Sequence, residues 1–251
     1  MRYRVRFGLP GPSADWGAIT AMLDAAEHED IALTLPRGIG HSTVGNFDDL
    51  WNEANNAYEA GEVDWYVKLH SDVHPLVPQW LRTLLRVAES RKVSLVSVPI
   101  AIKDERAVVS CGVVDNPDDP WIGRMVKITE INKLPLDFDA ADLGYPGAPL
   151  LHNNGCILFD LRDDRWRATD AEGNSRFCWH FPRRNRRDPE TGLWRSEGNS
   201  EDWQFSRAVH EMGIPSVITR RVPLGHRGQV LFVNWDASKE TAKDYIARCA
   251  L

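Results

Sequence analysis

Polar and apolar positions alternate from the start of the chain. "YRVRFGLP" (3–10) reads as a strand running into a Gly-Leu-Pro turn. In "SADWGAITAMLDAAEHE", Trp16, Ile19, Met22 and Leu23 recur at helical spacing, with Ser13 placed to cap the start. "IALTLP" predicts a second strand, and "GIGHSTVGN" a loop. "FDDLWNEANNAYEAG" sets Phe47, Leu50, Trp51 and Ala54 on one helical face and stops at Gly61. "DWYVKL" predicts a third strand. "PQWLRTLLRVAES" predicts a helix with Pro78 near its start, and "VSLVSVPIAI" a fourth, almost wholly apolar strand. Alternating strands and helices predict an α/β fold, a mostly parallel sheet covered on both faces.

Beyond about residue 103 the pattern loosens. "AVVSCGVV", "RMVKITEI" and "GCILFDL" read as strands between loops rich in Pro, Gly and Asp. "RFCWHFPRRNRRDPETGLWRSEGNS" shows no periodicity. "EDWQFSRAVHEMG" predicts a helix, "IPSVITRRV" a strand and "SKETAKDYIARCAL" a closing helix. With no repeat, low-complexity tract or clear linker, the expectation is one α/β domain over 1–251, a first half to about 103 and an elaborated second half.

Composition narrows the classes. The 251 residues can bury a sizeable core, and 43% apolar and 26% charged residues are ordinary for a globular chain. No apolar run reaches membrane-spanning length, and "MRYRVRFGLP" lacks the pattern of a signal peptide. Cys111, Cys156, Cys178 and Cys249 form no CxxC pair, which points away from structural zinc and toward a reduced, cytoplasmic setting. A net charge of -6 excludes a globally basic nucleic-acid coat but not a local basic patch. Four of ten tryptophans (Trp166, Trp179, Trp194, Trp203) fall within 166–203; tryptophan fills cores and also stacks on sugars and bases.

In open α/β sheets, ligands sit beyond the carboxyl ends of the strands. Three such ends stand out: Gly8-Leu9-Pro10, Pro36-Arg37-Gly38 and His70-Ser71-Asp72. None carries a dinucleotide fingerprint or a P-loop, and neither a GxSxG elbow nor an HExxH helix occurs. The run "YVKLHSDVHP" crowds His70, Asp72 and His74 beyond an apolar strand. His74, beside Pro75, reads as a turn residue. Asn52, Asn55 and Asn56 share one helical face, solvated by default.

Three stretches, in order, resemble GT-A-fold, metal-dependent, nucleotide-sugar glycosyltransferases. The strand end His70-Ser71-Asp72 resembles that family's Asp-x-Asp, with the first Asp replaced by His70. "HNNGCILFDLR" (152–162) resembles the glycine-containing strand that lines the donor sugar, with Gly155 allowing close backbone approach. "SEDWQFSRAVHEMGIPSVITRRVPLGHRG" (200–228) resembles a Glu-Asp pair opening a helix, a strand and a late Gly-His. The helix start would expose Glu201 and Asp202 where the helix dipole favours carboxylates.

The resemblance implies a GT-A-like, Rossmann-type fold and a nucleotide-sugar donor, a UDP-sugar foremost. It implies Mn²⁺ or Mg²⁺ held by Asp72 and His226 and Asp202, beside Glu201, as general base in an inverting transfer. Leu9, Pro10 and Arg37 would border the nucleoside, and His70 the ribose or a phosphate. Compact bacteriophage-type enzymes that glycosylate hydroxymethylated DNA are similar in outline. Arg183, Arg184, Arg186 and Arg187, flanked by Trp179 and Trp194, are the candidate DNA-binding surface; a solvated basic loop is the plainer alternative. Glycan and protein hydroxyls stay open as acceptors, as does a non-catalytic nucleotide-sugar or DNA binder, which the missing first Asp favours. A nucleotidyltransferase ranks last, for want of a Gly-rich basic N-terminal loop.

Overall fold

The computed structural model describes residues 2–10, 16–34, 43–103, 106–113, 123–177, 179, 183–188, 190–198, 200–228, 231–236 and 241–249. The first half contains β1 (Tyr3–Gly8), α1 (Trp16–Ala26), β2 (Ile31–Thr34), α2 (Thr43–Glu59), β3 (Trp65–Leu69), β4 (Val73–Pro75), α3 (Trp80–Arg91) and β5 (Leu95–Ser97). The second half contains β6 (Val108–Val113), β7 (Arg124–Lys127), α4 (Ile128–Ile131), β8 (Asp137–Phe138), β9 (Leu150–Leu151), β10 (Cys156–Asp160), β11 (Arg183–Arg187), β12 (Trp194–Gly198), α5 (Glu201–Glu211), β13 (Ser216–Thr219), β14 (Leu224–Arg227), β15 (Leu231–Val233) and α6 (Ala242–Cys249).

Seven of the described strands form one sheet in the order β2-β1-β3-β10-β5-β13-β8. β1 runs parallel to β2 and β3, and β13 parallel to β5; β10 lies antiparallel between β3 and β5, and β8 is antiparallel at the edge. This is the mostly parallel α/β sheet expected, flanked by helices. On one face, Val5, Phe7, Val67 and Leu69 pack with Ala18 of α1 and Leu81 and Leu84 of α3. On the other, Tyr66 and Phe159 pack with Phe47 and Trp51 of α2 and Phe205 of α5. The helical spacing of apolar residues in α2 and α3 thus buries the faces it predicts. Gly61, at φ 71°, ends α2 as expected, its N–H bonding the Tyr58 carbonyl at 2.8 Å.

Three expectations are corrected. "RMVKITEI" splits into β7 and one helical turn, α4, which turns Ile131 into the core. The stretch without periodicity contains a two-stranded ribbon, β11 paired antiparallel with β12. Its turn is built by Asp188, whose carboxylate accepts the N–H of Glu190 at 3.0 Å and of Thr191 at 2.8 Å, with Gly192 at φ 68°. The ribbon's described side chains are almost all exposed, so no apolar alternation marked it. His74 is no turn residue: it lies in β4, buried and opposite Gly225 of β14. No helix among the described residues is long and apolar enough to cross a membrane.

Candidate active site

The chain leaves β3 at Leu69, turns through His70-Ser71-Asp72 and enters β4. β14 pairs with β4 so that His226 stands opposite Val73, and the Arg227 N–H bonds the Asp72 carbonyl at 2.8 Å. This pairing brings His226 Nε2 to 3.5 Å from Asp72 Oδ2. The other ring nitrogen, Nδ1, lies 2.8 Å from the Ala101 carbonyl. A carbonyl only accepts, so Nδ1 carries the proton. With both ring nitrogens protonated, Nε2–H donates to the carboxylate; in the neutral ring the Nε2 lone pair would face it instead. In that second form a cation between the two would satisfy both, and a backbone carbonyl fixing the tautomer of a ligating histidine is the usual support. A third group also reaches this oxygen: Lys103 Nζ lies 2.5 Å from Oδ2. Burial works to raise the Asp72 pKa, but His226 and Lys103 outweigh it and hold the carboxyl well below the usual range. Among the described residues, no His, Cys, Asp or Glu joins the pair as a third ligand.

His70 stacks on Phe47 (5.3 Å, 25°) and its N–H bonds the Gly155 carbonyl at 2.8 Å. Burial first, then the charge of Lys68, pushes its pKa down to about 3, and its buried Nε2 has no hydrogen-bond partner. A Cβ on Gly155 would meet Ile100 Cδ1 at 2.5 Å, Asn153 Oδ1 at 2.9 Å and His70 Nδ1 at 3.4 Å. The glycine therefore lets β10 approach His70 and Ile100.

Asp202 sits in the first turn of α5, partly buried rather than exposed as the helix start suggested. Its Oδ1 accepts the Asn154 N–H at 3.0 Å; its Oδ2 lies 3.3 Å from Ser110 Oγ and 3.4 Å from Asn153 Nδ2. Ser206 Oγ donates to the Asp202 carbonyl at 2.6 Å and accepts the His152 N–H at 2.8 Å. The buried His152 ring in turn spans Ser97 and Ser216 at 2.8 and 2.9 Å. Burial, then the neighbouring Glu201 charge, raises the Asp202 pKa to about 7, against the Asn154 N–H and Lys68. Burial raises Glu201 as well. Asn154 holds Asp202 while Gly155, next in the chain, holds His70, so one short segment couples the two ends of the site.

Four contributing residues escaped the sequence reading. Asn153 and Asn154 immediately precede the glycine singled out there, and Lys103 directly follows the apolar run 93–102. The fourth is Lys68, whose signal was a lone charge inside "DWYVKL". It is fully buried, its Nζ has no hydrogen-bond partner, and it lies 3.7 Å from the Phe47 ring centre and 3.6 Å from that of Trp179. Each ring face stabilises a desolvated cation by about 2 kcal/mol, less than lost hydration costs an ammonium. Burial accordingly lowers the Lys68 pKa to about 7, with the charges of Asp202, Glu201 and Asp48 opposing.

Other expected residues stand apart. Leu9, partly buried, and Pro10, buried, follow β1, the sheet neighbour of β3. Arg37 and Cys178 lie outside the described residues. Asn52 and Asn56 are exposed, and the Asn55 amide bonds back to the Trp51 carbonyl at 2.9 Å. Trp166, Trp179 and Trp203 belong to the core. Trp179 stacks on Phe205 (4.6 Å, 9°) and is thereby removed from any surface aromatic role. Trp194 is 69% exposed on the ribbon, with the Arg187 guanidinium 5.4 Å from its ring centre. The backbones of Arg183, Arg184 and Arg186 run along β11.

No family model and no curated protein matches the chain. Among solved structures, A197 from STIV aligns over 91% of this chain and 86% of its own at 12% identity and a TM-score of 0.49. A Bacillus anthracis structure assigned as a glucose-1-phosphate thymidylyltransferase, in complex with a sucrose, covers 67% of this chain and 58% of its own at 9% identity and a TM-score of 0.29. At these values neither likeness assigns this chain a family or an activity.

Proposed function

We propose that the protein is a glycosyltransferase that moves a sugar from a nucleotide-diphosphate donor, a UDP-sugar foremost, to an acceptor hydroxyl. The observation that carries this reading is the approach of His226 Nε2 to Asp72 Oδ2 at 3.5 Å, with the Asn154-Gly155 segment tying Asp202 to His70. Asp72 and His226 would hold Mn²⁺ or Mg²⁺, the imidazole favouring Mn²⁺. A divalent cation there would neutralise the charge that grows on a departing diphosphate.

The chain's own groups supply the rest. Asp202, oriented by Asn153, Asn154 and Ser110, takes the acceptor hydroxyl's proton onto its carboxylate as the hydroxyl oxygen bonds to the sugar. A carboxylate raised toward neutrality is a stronger base than an ordinary one. One base and one displacement give inversion at the sugar carbon. His70, kept neutral, borders the ribose or a phosphate of the donor. Leu9 and Pro10 border the nucleoside end.

The acceptor reading rests on the ribbon. A two-stranded ribbon fits a DNA major groove, and Arg187 and Trp194, with Arg183, Arg184 and Arg186 along the same strand pair, offer charge and a stacking face to DNA. A hydroxymethylated base would have to leave the helix stack to reach Asp202. The test is product mass spectrometry with a panel of sugar nucleotides, with and without hydroxymethylated DNA. Donor turnover that needs Mn²⁺ and stops with EDTA or Asp72→Ala is expected. Turnover indifferent to Asp72→Ala overturns the cation site, and donor binding without turnover makes the protein a binder.

A further inference from the structure

Lys103 has no part in the reading above, yet it touches the same oxygen. Its Nζ lies 2.5 Å from Asp72 Oδ2, the atom that also faces His226 Nε2 at 3.5 Å. Both members of the ion pair reach solvent, their side chains 31% and 39% exposed. The segment that carries Lys103 is itself anchored at the site. The Ala101 carbonyl holds His226 Nδ1 at 2.8 Å, and the Ile102 N–H bonds the Val108 carbonyl at 3.1 Å. One short stretch therefore orients one candidate ligand and caps the other.

We propose that Lys103 competes with the divalent cation for Asp72 and, once displaced, pairs with the diphosphate of the donor. The proposal rests on the cation site argued above. An ammonium and a divalent cation repel, so each weakens the other's hold on one carboxylate oxygen. A partly exposed lysine–carboxylate pair is weak, and a doubly charged ion attracts the same oxygen twice as strongly at equal distance. The ammonium rides on a flexible four-carbon stem, so it can leave without moving the backbone. A cation arriving alone displaces Lys103 toward water. A cation arriving with a diphosphate gives it a new anion. Cation and nucleotide then assist each other, and linkage makes the assistance mutual.

Mn²⁺ binding, read by electron paramagnetic resonance of free Mn²⁺ and by calorimetry, tests this without any turnover. UDP serves as the diphosphate probe. The wild-type protein is expected to bind Mn²⁺ weakly alone and more tightly with UDP. Lys103→Met should bind Mn²⁺ alone about fivefold more tightly, the loss of one weak competing pair, and should gain less from UDP. Lys103→Arg should keep the wild-type pattern, and unchanged thermal unfolding would show that both variants fold. Equal or weaker Mn²⁺ affinity in Lys103→Met overturns the competition while leaving the cation site standing. Mn²⁺ bound by neither protein, or binding that survives Asp72→Asn, overturns the cation site and this proposal with it.

Discussion

Asp72 and Asp202 are the same residue type in one site, and their surroundings drive them in opposite directions. Asp72 meets an imidazole and an ammonium, and its carboxyl is held low. Asp202 meets burial and a second carboxylate, and its carboxyl is raised to about 7. Asp202 also accepts a backbone N–H, from Asn154 at 3.0 Å, and feels Lys68, yet burial and Glu201 prevail. Position in the fold sets the two carboxylates apart. The low carboxylate stays charged and suits a cation; the raised one can exchange a proton near neutral pH.

The comparison breaks most visibly by exchanging losses. Asp202→Asn should cut sugar transfer roughly a hundred- to ten-thousandfold and leave Mn²⁺ affinity intact. Asp72→Asn should abolish Mn²⁺ binding. Parallel losses of both properties in both variants, measured by product formation and calorimetry, would merge the two roles.

The next effect is on pH dependence. Transfer should rise with pH through about 7 as Asp202 ionises. Lys68→Met removes a nearby positive charge, so the acidic limb should move up by about one pH unit. Glu201→Gln removes a like charge, so the limb should move down. Limbs that stay in place in both variants would show that Asp202 is not the titrating base.

Stability gives a smaller, opposed pair of signs. The folded Asp202 pKa lies above its unfolded value of about 4. Its contribution to stability is therefore present below pH 4 and lost as pH rises through about 7. The folded Asp72 pKa is depressed, so its contribution is present above about pH 4 and lost as pH falls. Between pH 5 and 8 the melting temperature of wild type should fall relative to Asp202→Asn. A pH-independent gap would contradict the raised carboxyl.

A separate effect lies at the ribbon. Trp194→Ala should weaken single-stranded DNA binding by about 1–3 kcal/mol, seen as a gel shift, and leave Mn²⁺ affinity and the pH limb alone. No DNA binding by wild type at low salt would remove DNA as acceptor.

Much of the fold was legible because its signals are local. Apolar spacing in α2 and α3, the buried run of β3 and the stop at Gly61 follow from period and backbone chemistry. The ribbon was not legible, since exposed strands carry no apolar alternation, and neither was β4, which exists only through its pairing with β14. In the site, Asp72, Asp202 and His226 were visible as residue types at strand and helix ends. Lys68, Asn153, Asn154 and Lys103 were not, because nothing in their own neighbourhoods says what they touch.

The sequence by itself determined the strand and helix order of the first half apart from β4, the carboxyl ends where chemistry could sit, and the carboxylates and histidines available there. Only the tertiary structure decided that His226 Nε2 meets Asp72, that Lys103 caps the same oxygen, and that Asp202 is raised while Asp72 is lowered. Side-chain spacing is a property of the local backbone. Proton affinity is a property of burial and of charges that only long-range pairing brings near.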